Sequence, residues 1–301
     1  AGIEHIPSYA FMGAGLTSIQ LPDTIKTIGS MAFADNNLTE ITIGENIEDI
    51  GTEAFFNNPF DKIIVHQNNP YYSDQGETGL YSKDGAILYY GTTTGQIADG
   101  TKIIYFAAFY NLGLTNIVIP NSVEYLLEAA FSSNNISHVY IGSGIKPFEN
   151  SGDTWHELGI AFHDNPIVQI KVDSENPWYK DVDGQAVYTK DGKILVFGTP
   201  LSSIADGTEE IYFEALHGSD TETLDIPASV KSLMDYSIGY TKNVKNIIIR
   251  NKYLPFNSSD EWPQIYFIDA DETDPIGDVT IWGYAGSTAE TFADDFGYTF
   301  K

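Results

Sequence analysis

The chain has 301 residues, 42% of them apolar, which is enough to bury a real core and excludes a disordered chain. Its 42 acidic residues against 15 basic ones give a net charge of -27 with no basic cluster, so phosphate backbones and anionic lipid are excluded as partners. Cysteine is absent, which removes disulfides, thiol catalysis and thiolate metal sites, and no apolar run approaches the roughly 20 residues of a membrane span.

The chain opens "AGIEHIPSYAF" with neither a basic n-region nor an apolar h-region. "IEHIPSYAF" matches the later "IKTIGSMAF", so the first residues read as the middle of a repeat, and the natural chain is expected to extend upstream. From residue 16, "LTSIQLPDTIKTIGSMAFADNN" aligns without gaps on "LTEITIGENIEDIGTEAFFNNP" from residue 38, a period of 22. The frame returns at 114 as "LTNIVIPNSVEYLLEAAFSSNN". Its first part recurs at 60, 136, 167, 221, 244 and 276.

Each frame reads apolar-x-x-apolar-x-apolar, so Ile19 and Leu21, Ile41 and Ile43, and Ile117 and Ile119 alternate with outward residues as a short strand requires. A Pro or Gly then turns the chain, and Ile25, Ile28, Ala32 and Phe33 form a second apolar set lining the far wall of the coil. One coil buries too few side chains to offset the ~1–2 kcal/mol per residue of backbone ordering. Stacked coils share apolar surface with two neighbours and satisfy one another's backbone groups, which predicts a repeat solenoid with parallel strands. Asn36, Asn58, Asn134 and Asn165 each stand four residues after the alanine of an Ala-Phe pair, where an amide can both donate to and accept from a neighbouring coil. They are expected to form a structural ladder, interrupted at Ala14 and Leu112.

Two coils, from 60 and from 167, are each 54 residues long and carry matching excesses. "NPYYSDQGETGLYSKDGAILYYG" and "NPWYKDVDGQAVYTKDGKILVFG" align at an offset of 107, which predicts hairpin insertions at about 69–100 and 176–207. Asp84-Gly85 and Asp191-Gly192 are expected to form type I′ turns, with Tyr81 facing Leu88 and Tyr188 facing Leu195. Tyr71, Tyr72, Trp178 and Tyr179 are expected to pack the hairpins on the coils. Residues 16–113 and 114–220 therefore read as a duplicated three-coil block, the second with about nine extra residues near Pro147 to Glu157. At the end, "GSTAETFADDFGYTF" predicts a helix with Ser287 as N-cap, Glu290 completing a capping box, Ala289, Phe292, Ala293 and Phe296 on one face, and Gly297 closing it, within a terminal cap over 276–301.

"LTSIQLP", "TIKTIGSMAF", the "LYSKDGAILYY" and "VYTKDGKILVF" hairpins and the terminal "GYAGSTAETFADDFGYTF" resemble the BspA-like, or Treponema-type, class of bacterial leucine-rich repeats over essentially all of the chain. The resemblance implies an α/β repeat: one right-handed leucine-rich-repeat solenoid over 1–301, with a parallel β-sheet on the concave side, two β-hairpin insertions and a C-terminal capping helix. It also implies display on, or secretion from, a bacterial cell and adhesion to host proteins or other cells. It carries no residue-level binding motif. Asn fills a slot where many relatives have Cys.

No catalytic constellation stands out, and the expectation is a protein that is not an enzyme and needs no cofactor. His5, His66, His138, His156, His163 and His217 are scattered, "HELGIAFH" lacks the i, i+4 spacing of a zincin, and no metal is expected. "DADETD" (Asp269 to Asp274) and "DVDG" (Asp181 to Gly184) lack the oxygen-ligand pattern of a calcium loop and read as solvated turns. Binding is expected on the concave face, from the residues between apolar strand positions: Ser18 and Gln20, Glu40 and Thr42, Lys62 and Ile64, Asn116 and Val118, His138 and Tyr140, Gln169 and Lys171, and Ile248. Ile64, Val118, Tyr140 and Ile248 put apolar groups where polar ones belong, which marks either an interaction surface or cover by the inserted elements. The expected partner is an extracellular protein or glycan. The alternatives are a structural spacer presenting an upstream domain, and a polysaccharide-binding or polysaccharide-acting β-helix.

Overall fold

A computed structural model describes residues 2–147, 158–239, 241, 243–256, 264–266 and 279–301. The chain divides into two compact units, one of Ala1–Ile136 with Gly142–Phe148 and Ile160–Asn165, the other of Ser137–Ile141, Glu149–Gly159 and Pro166–Lys301. His156, the acidic run Asp269 to Asp274 and most of the segment from Pro147 to Glu157 lie outside the described residues.

In the first unit, Glu40–Ile43 and Lys62–Val65 pair in parallel, with Ile41, Ile43, Ile63 and Val65 buried and the residues between them turned outward. Alternation of side chains across a strand puts the apolar set on one face, as the frame requires. The frame at 16 differs: residues 18–21 form no strand, although Leu16 and Ile19 pack on the core of this unit.

A second parallel row exists that the sequence pattern does not announce. His5–Ile6, Thr27–Ile28 and Asp49–Ile50 form a three-stranded sheet from segments only two residues long. The α/β designation is corrected accordingly. The described residues are mostly strand and turn, with one α-helix and a 3-10 helix at Leu158–Phe162. Among the described residues the other return walls are not helical, because the chain there alternates between right- and left-handed backbone. Tyr9, Met31, Glu53, Ala107 and Ala129, each just before an Ala-Phe pair, have φ between 52° and 61°, all in the left-handed region. Four residues later Asp35, Asn57, Asn111 and Ser133 repeat it. Each such L-residue costs about 1–2 kcal/mol. In return, alternate N–H groups point to the next coil: Met31 N donates to Thr52 O (3.1 Å), Phe33 N to Ala54 O (2.8 Å) and Asp35 N to Phe56 O (2.9 Å). Leaving such donors unpaired inside the stack costs as much as the strain.

The asparagine ladder forms as expected. Asn58 Oδ1 accepts from Leu38 N at 3.0 Å, and its Nδ2 donates to Phe33 O at 2.8 Å in the preceding coil and to Phe55 O at 3.0 Å in its own. Asn36, Asn134 and Asn165 repeat this pattern. Beside the ladder the phenylalanines stack: Phe11 on Phe33 (5.3 Å), Phe33 on Phe55 (5.6 Å), Phe109 on Phe131 (5.1 Å) and Phe131 on Phe162 (5.2 Å).

Between Phe55 and Phe109 stands the first antiparallel element. Tyr72–Ser73, Gly79–Ser82 and Ile87–Gly91 pair antiparallel in sequence, and Ile87–Gly91 then pairs in parallel with Ile103–Ile104, which pairs with Tyr125–Leu126. The third strand thus takes the far-wall place of a coil. Gly91 is required there, since a Cβ would lie 2.0 Å from the Phe109 ring.

Tyr81 faces Leu88 and Tyr188 faces Leu195. The turns are not type I′. Positive φ falls on Gly85 (76°) and Gly192 (80°) and not on the aspartates, and Gly85 N donates to Ser82 O at 2.8 Å, so a type I turn is followed by a left-handed glycine. The reason is local: Asp84 accepts from Ser82 Oγ (2.6 Å) and Ala86 N (3.0 Å), and Asp191 from Thr189 Oγ1 (2.7 Å) and Lys193 N (3.0 Å). A second correction concerns the aromatic props. Tyr72 is half-buried and Tyr179 buried, whereas Tyr71 and Trp178 are exposed, because neighbouring residues of an extended chain face opposite ways.

In the second unit, His138–Ile141 pairs with Gln169–Val172, and Thr223–Ile226, Asn246–Ile249, Thr280–Trp282 and Thr299–Phe300 form a four-stranded parallel sheet. Tyr179–Val182, Ala186–Thr189 and Ile194–Gly198 are antiparallel, and Ile194–Gly198 continues in parallel into Glu210–Ile211 and Ser232–Leu233. The last frame is shifted from its expected place. Ile247 pairs with Ile281 rather than Val279, a two-residue displacement that keeps every side chain on its face and so leaves no trace in the apolar pattern.

The helix spans Thr288–Phe296 and buries Ala289, Phe292 and Ala293. Ser287 Oγ accepts from Glu290 N at 3.2 Å, and Gly297 closes the helix at φ 75°. The Glu290 carboxylate reaches back to Gly286 N (2.5 Å), one residue before the N-cap.

Candidate functional site

The outward strand residues fall into two sets of neighbours. In the first unit, parallel register sets Glu40 beside Lys62 and Thr42 beside Ile64. Lys62 does not join Glu40: its Nζ lies 3.0 Å from the Glu77 carboxylate, and that bond holds the ammonium above its ordinary pKa. Asn116 and Val118 lie on Asn116–Ile119 of the same unit, both exposed, Val118 to 61%. Gln20 is exposed and lies on no strand.

In the second unit His138 is beside Gln169 and Tyr140 beside Lys171. The Tyr140 hydroxyl donates to Asp173 at 2.8 Å, which raises its pKa, and Lys171 Nζ lies 3.0 Å from Asp181. Asp181 also accepts from Val172 N at 2.9 Å, so the "DVDG" carboxylate ties strand to hairpin; Asp74 does the same for Val65 N in the first unit. Ile248 stands between Asp225 and Trp282.

Sequence reasoning passed over that surrounding. Asp225 and Arg250 form a bidentate ion pair, and the exposed Trp282 indole donates to Asn246 Oδ1 at 2.8 Å. The available signal was a tryptophan in the slot after the strand where Pro22 and Gly44 stand in earlier coils, hidden by the two-residue shift of the frame.

The polar residues shared by the hairpins are structural. Asn69 accepts from Tyr71 N and Tyr72 N (2.8 and 2.9 Å) and donates to Gly44 O and Ile47 O (2.7 and 2.9 Å), and Lys83 Nζ donates to Asn69 O (2.5 Å). Asn176 and Lys190 repeat these contacts toward Trp178 N, Tyr179 N and Asn176 O. Among the described residues no helix is long and apolar enough to cross a membrane.

A family model described as a BspA type leucine rich repeat region matches six copies over residues 4–75, 89–152 and 201–259, more than half of the chain. Solved structures are similar at low identity. A leucine-rich repeat protein from Eubacterium ventriosum is 14% identical, with 83% of this chain and 60% of that one covered and a TM-score of 0.45. The pneumococcal vaccine antigen PcpA is 14% identical over 99% of this chain and 88% of its own, with a TM-score of 0.42. A leucine rich cell surface protein from Faecalibacterium prausnitzii is 17% identical over 91% of this chain and 60% of its own, at 0.39. The chain therefore spans about three fifths of the Eubacterium and Faecalibacterium proteins. A search of curated proteins found no match.

Proposed function

From the premise that this chain belongs to the BspA-type leucine-rich repeat family, we propose that it is a non-enzymatic binding module, displayed on or secreted from a bacterial cell, whose outward strand face engages an extracellular protein or glycan. In this reading residues 1–301 make one right-handed repeat array with the parallel strands on its concave side. The two antiparallel elements are insertions into that array, and the terminal helix lids its end. Adhesion to host or neighbouring cells is the use such a surface serves.

The observation that carries the reading is a set of exposed strand positions in each unit that folding does not need. Val118 is 61% exposed between buried Ile117 and Ile119, and the strand residues Glu40, Thr42, Asn116, His138, Gln169 and Lys171 are likewise exposed. An outward β-branched residue at this exposure gains nothing for the core, and exposed apolar groups are the usual anchors of recognition.

The test is a binding screen against extracellular-matrix proteins and glycans, repeated with Val118→Asp, Tyr140→Ala and Ile64→Ser. A captured partner should lose at least about tenfold in affinity with one or more variants whose thermal melting is unchanged. Equal binding by all three would move recognition off this face.

A further inference from the structure

The far wall of the first unit has a break. Asp49–Ile50 pairs with Thr27–Ile28 on one side. On the other side the next chain is the antiparallel element, and a strand does not continue the row. Two tyrosine hydroxyls fill part of the gap, Tyr72 accepting from Ile50 N at 3.1 Å and Tyr90 from Phe55 N at 3.5 Å. The remainder is a cleft of about 190 Å³.

One side of the cleft carries Asp49 and Glu53, the other Tyr72, Tyr89 and Tyr105. The three rings run edge to face, Tyr72 to Tyr89 at 6.2 Å and Tyr89 to Tyr105 at 5.5 Å. Neither carboxylate has a cationic partner among the described residues. The Glu53 N–H is also left over. Its counterparts at Tyr9, Met31, Ala107 and Ala129 donate to the next coil at 3.0 to 3.3 Å, whereas Glu53 N finds no acceptor among the described residues.

We propose that this cleft binds an alkylammonium group, presented by a lysine side chain whose neighbouring peptide carbonyl accepts from Glu53 N–H. Aromatic faces and carboxylates are the two groups that attract an ammonium, by ring quadrupole and by charge. The volume is below the several hundred Å³ of drug-sized pockets, so it takes a side chain rather than a larger ligand. The chain's net charge of -27 draws cations toward it. Burial holds the Glu53 carboxyl above its ordinary pKa, which is the desolvated state that a bound cation would relieve. Burial, assisted by the Asp49 charge, pushes the Tyr72 hydroxyl up to about 12, so it stays neutral beside the ligand. This site is separate from the strand face, and neither proposal depends on the other.

The second block does not repeat the arrangement. At an offset of 107, Glu53 corresponds to Ile160 and Tyr89 to Val196. A scaffold that folds with isoleucine and valine at these positions does not require the acid and the phenol.

The experiment titrates three probes into the ¹⁵N-labelled protein: Nα-acetyl-lysine methylamide, its norleucine counterpart, and n-butylammonium. Saturable shifts of the Gly51 and Glu53 amides with the lysine compound, at least about tenfold weaker with norleucine and with Glu53→Gln, are expected. Tyr105→Ala should also weaken binding, and Asp99→Asn, a charge loss elsewhere, should not. Binding should fall with pH through a carboxylate pKa above the ordinary range. Tighter binding of the lysine compound than of butylammonium assigns the site to a protein partner; equality assigns it to a free amine. No saturable shift, equal shifts by norleucine, or full retention in a folded Glu53→Gln would overturn the proposal.

Discussion

The two antiparallel elements share a scaffold and differ in what they display. Asn69 and Asn176, Lys83 and Lys190, Asp84 and Asp191, Tyr81 and Tyr188, and Gly91 and Gly198 occupy the same places, and the asparagines, lysines and tyrosines make the same bonds. Tyr81 and Tyr188, for example, accept from Ala98 N at 3.1 Å and Ala205 N at 2.9 Å. Around them Glu53 answers to Ile160, Tyr89 to Val196 and Tyr90 to Phe197. What the copies hold in common is what the chain needs to close an enlarged coil. What they exchange is free to serve something else, and in the first copy it takes the form of carboxylates and phenols around a gap.

The comparison breaks most readily at its shared asparagine. Asn69→Ala leaves two carbonyls and two N–H groups without their partner in a buried position, and about 3 kcal/mol of stability should be lost, measured by urea denaturation. Asn176→Ala should cost a similar amount if the copies are equivalent.

The paired glycines should separate the copies. A Cβ on Gly91 meets the Phe109 ring at 2.0 Å, and the ring is locked in its stack, so Gly91→Ala should cost about 2–3 kcal/mol. On Gly198 the first atom met is Ser202 Oγ at 2.2 Å, the end of a side chain that can rotate at the expense of its bond to Thr199 O, and Gly198→Ala should cost about 1 kcal/mol. Equal losses would mean that the Phe109 ring moves aside freely.

The smallest effect is a pH dependence confined to the first copy. Burial raises the folded-state pKa of Glu53, so its contribution favours the folded chain below the ordinary carboxylate pKa and fades as pH rises through the raised value. Glu53→Gln should remove that slope from melting temperatures measured across pH 4 to 7, roughly the range of carboxylate titration. Its counterpart Ile160 has no proton to lose.

Much of this was legible from residue spacing. Ile41, Ile43, Ile63 and Val65 mark their strands because alternate residues must meet the core, and the asparagine ladder shows because an amide is needed at one place per coil. The return wall was illegible for an equally physical reason. The first of its two left-handed positions carries Tyr9, Met31, Glu53 or Ala107, which share no glycine or asparagine signal, since at Tyr9, Met31 and Ala107 the strain is offset by bonds to the next coil and not by the residue's own preference. The hairpin turn misled because Asp-Gly serves two turn types, and the aspartate's own hydrogen bonds decided between them. The cleft could not be read at all: it exists because Tyr72 and Tyr90 fill only part of a missing strand's row, and one-dimensional spacing carries no record of what is missing.

Ile87–Gly91 supplies the ladder with the same pair of registered residues that an ordinary coil would supply, so Ile103–Ile104 meets a familiar neighbour. The array is therefore indifferent to the length of the excursion made before that strand arrives. The exposed stretch from Gln75 to Glu77 at its outer turn is then a place where sequence can be lengthened, shortened or exchanged while the hydrogen-bond lattice beneath continues unaltered, as a socket accepts any plug with the right pins.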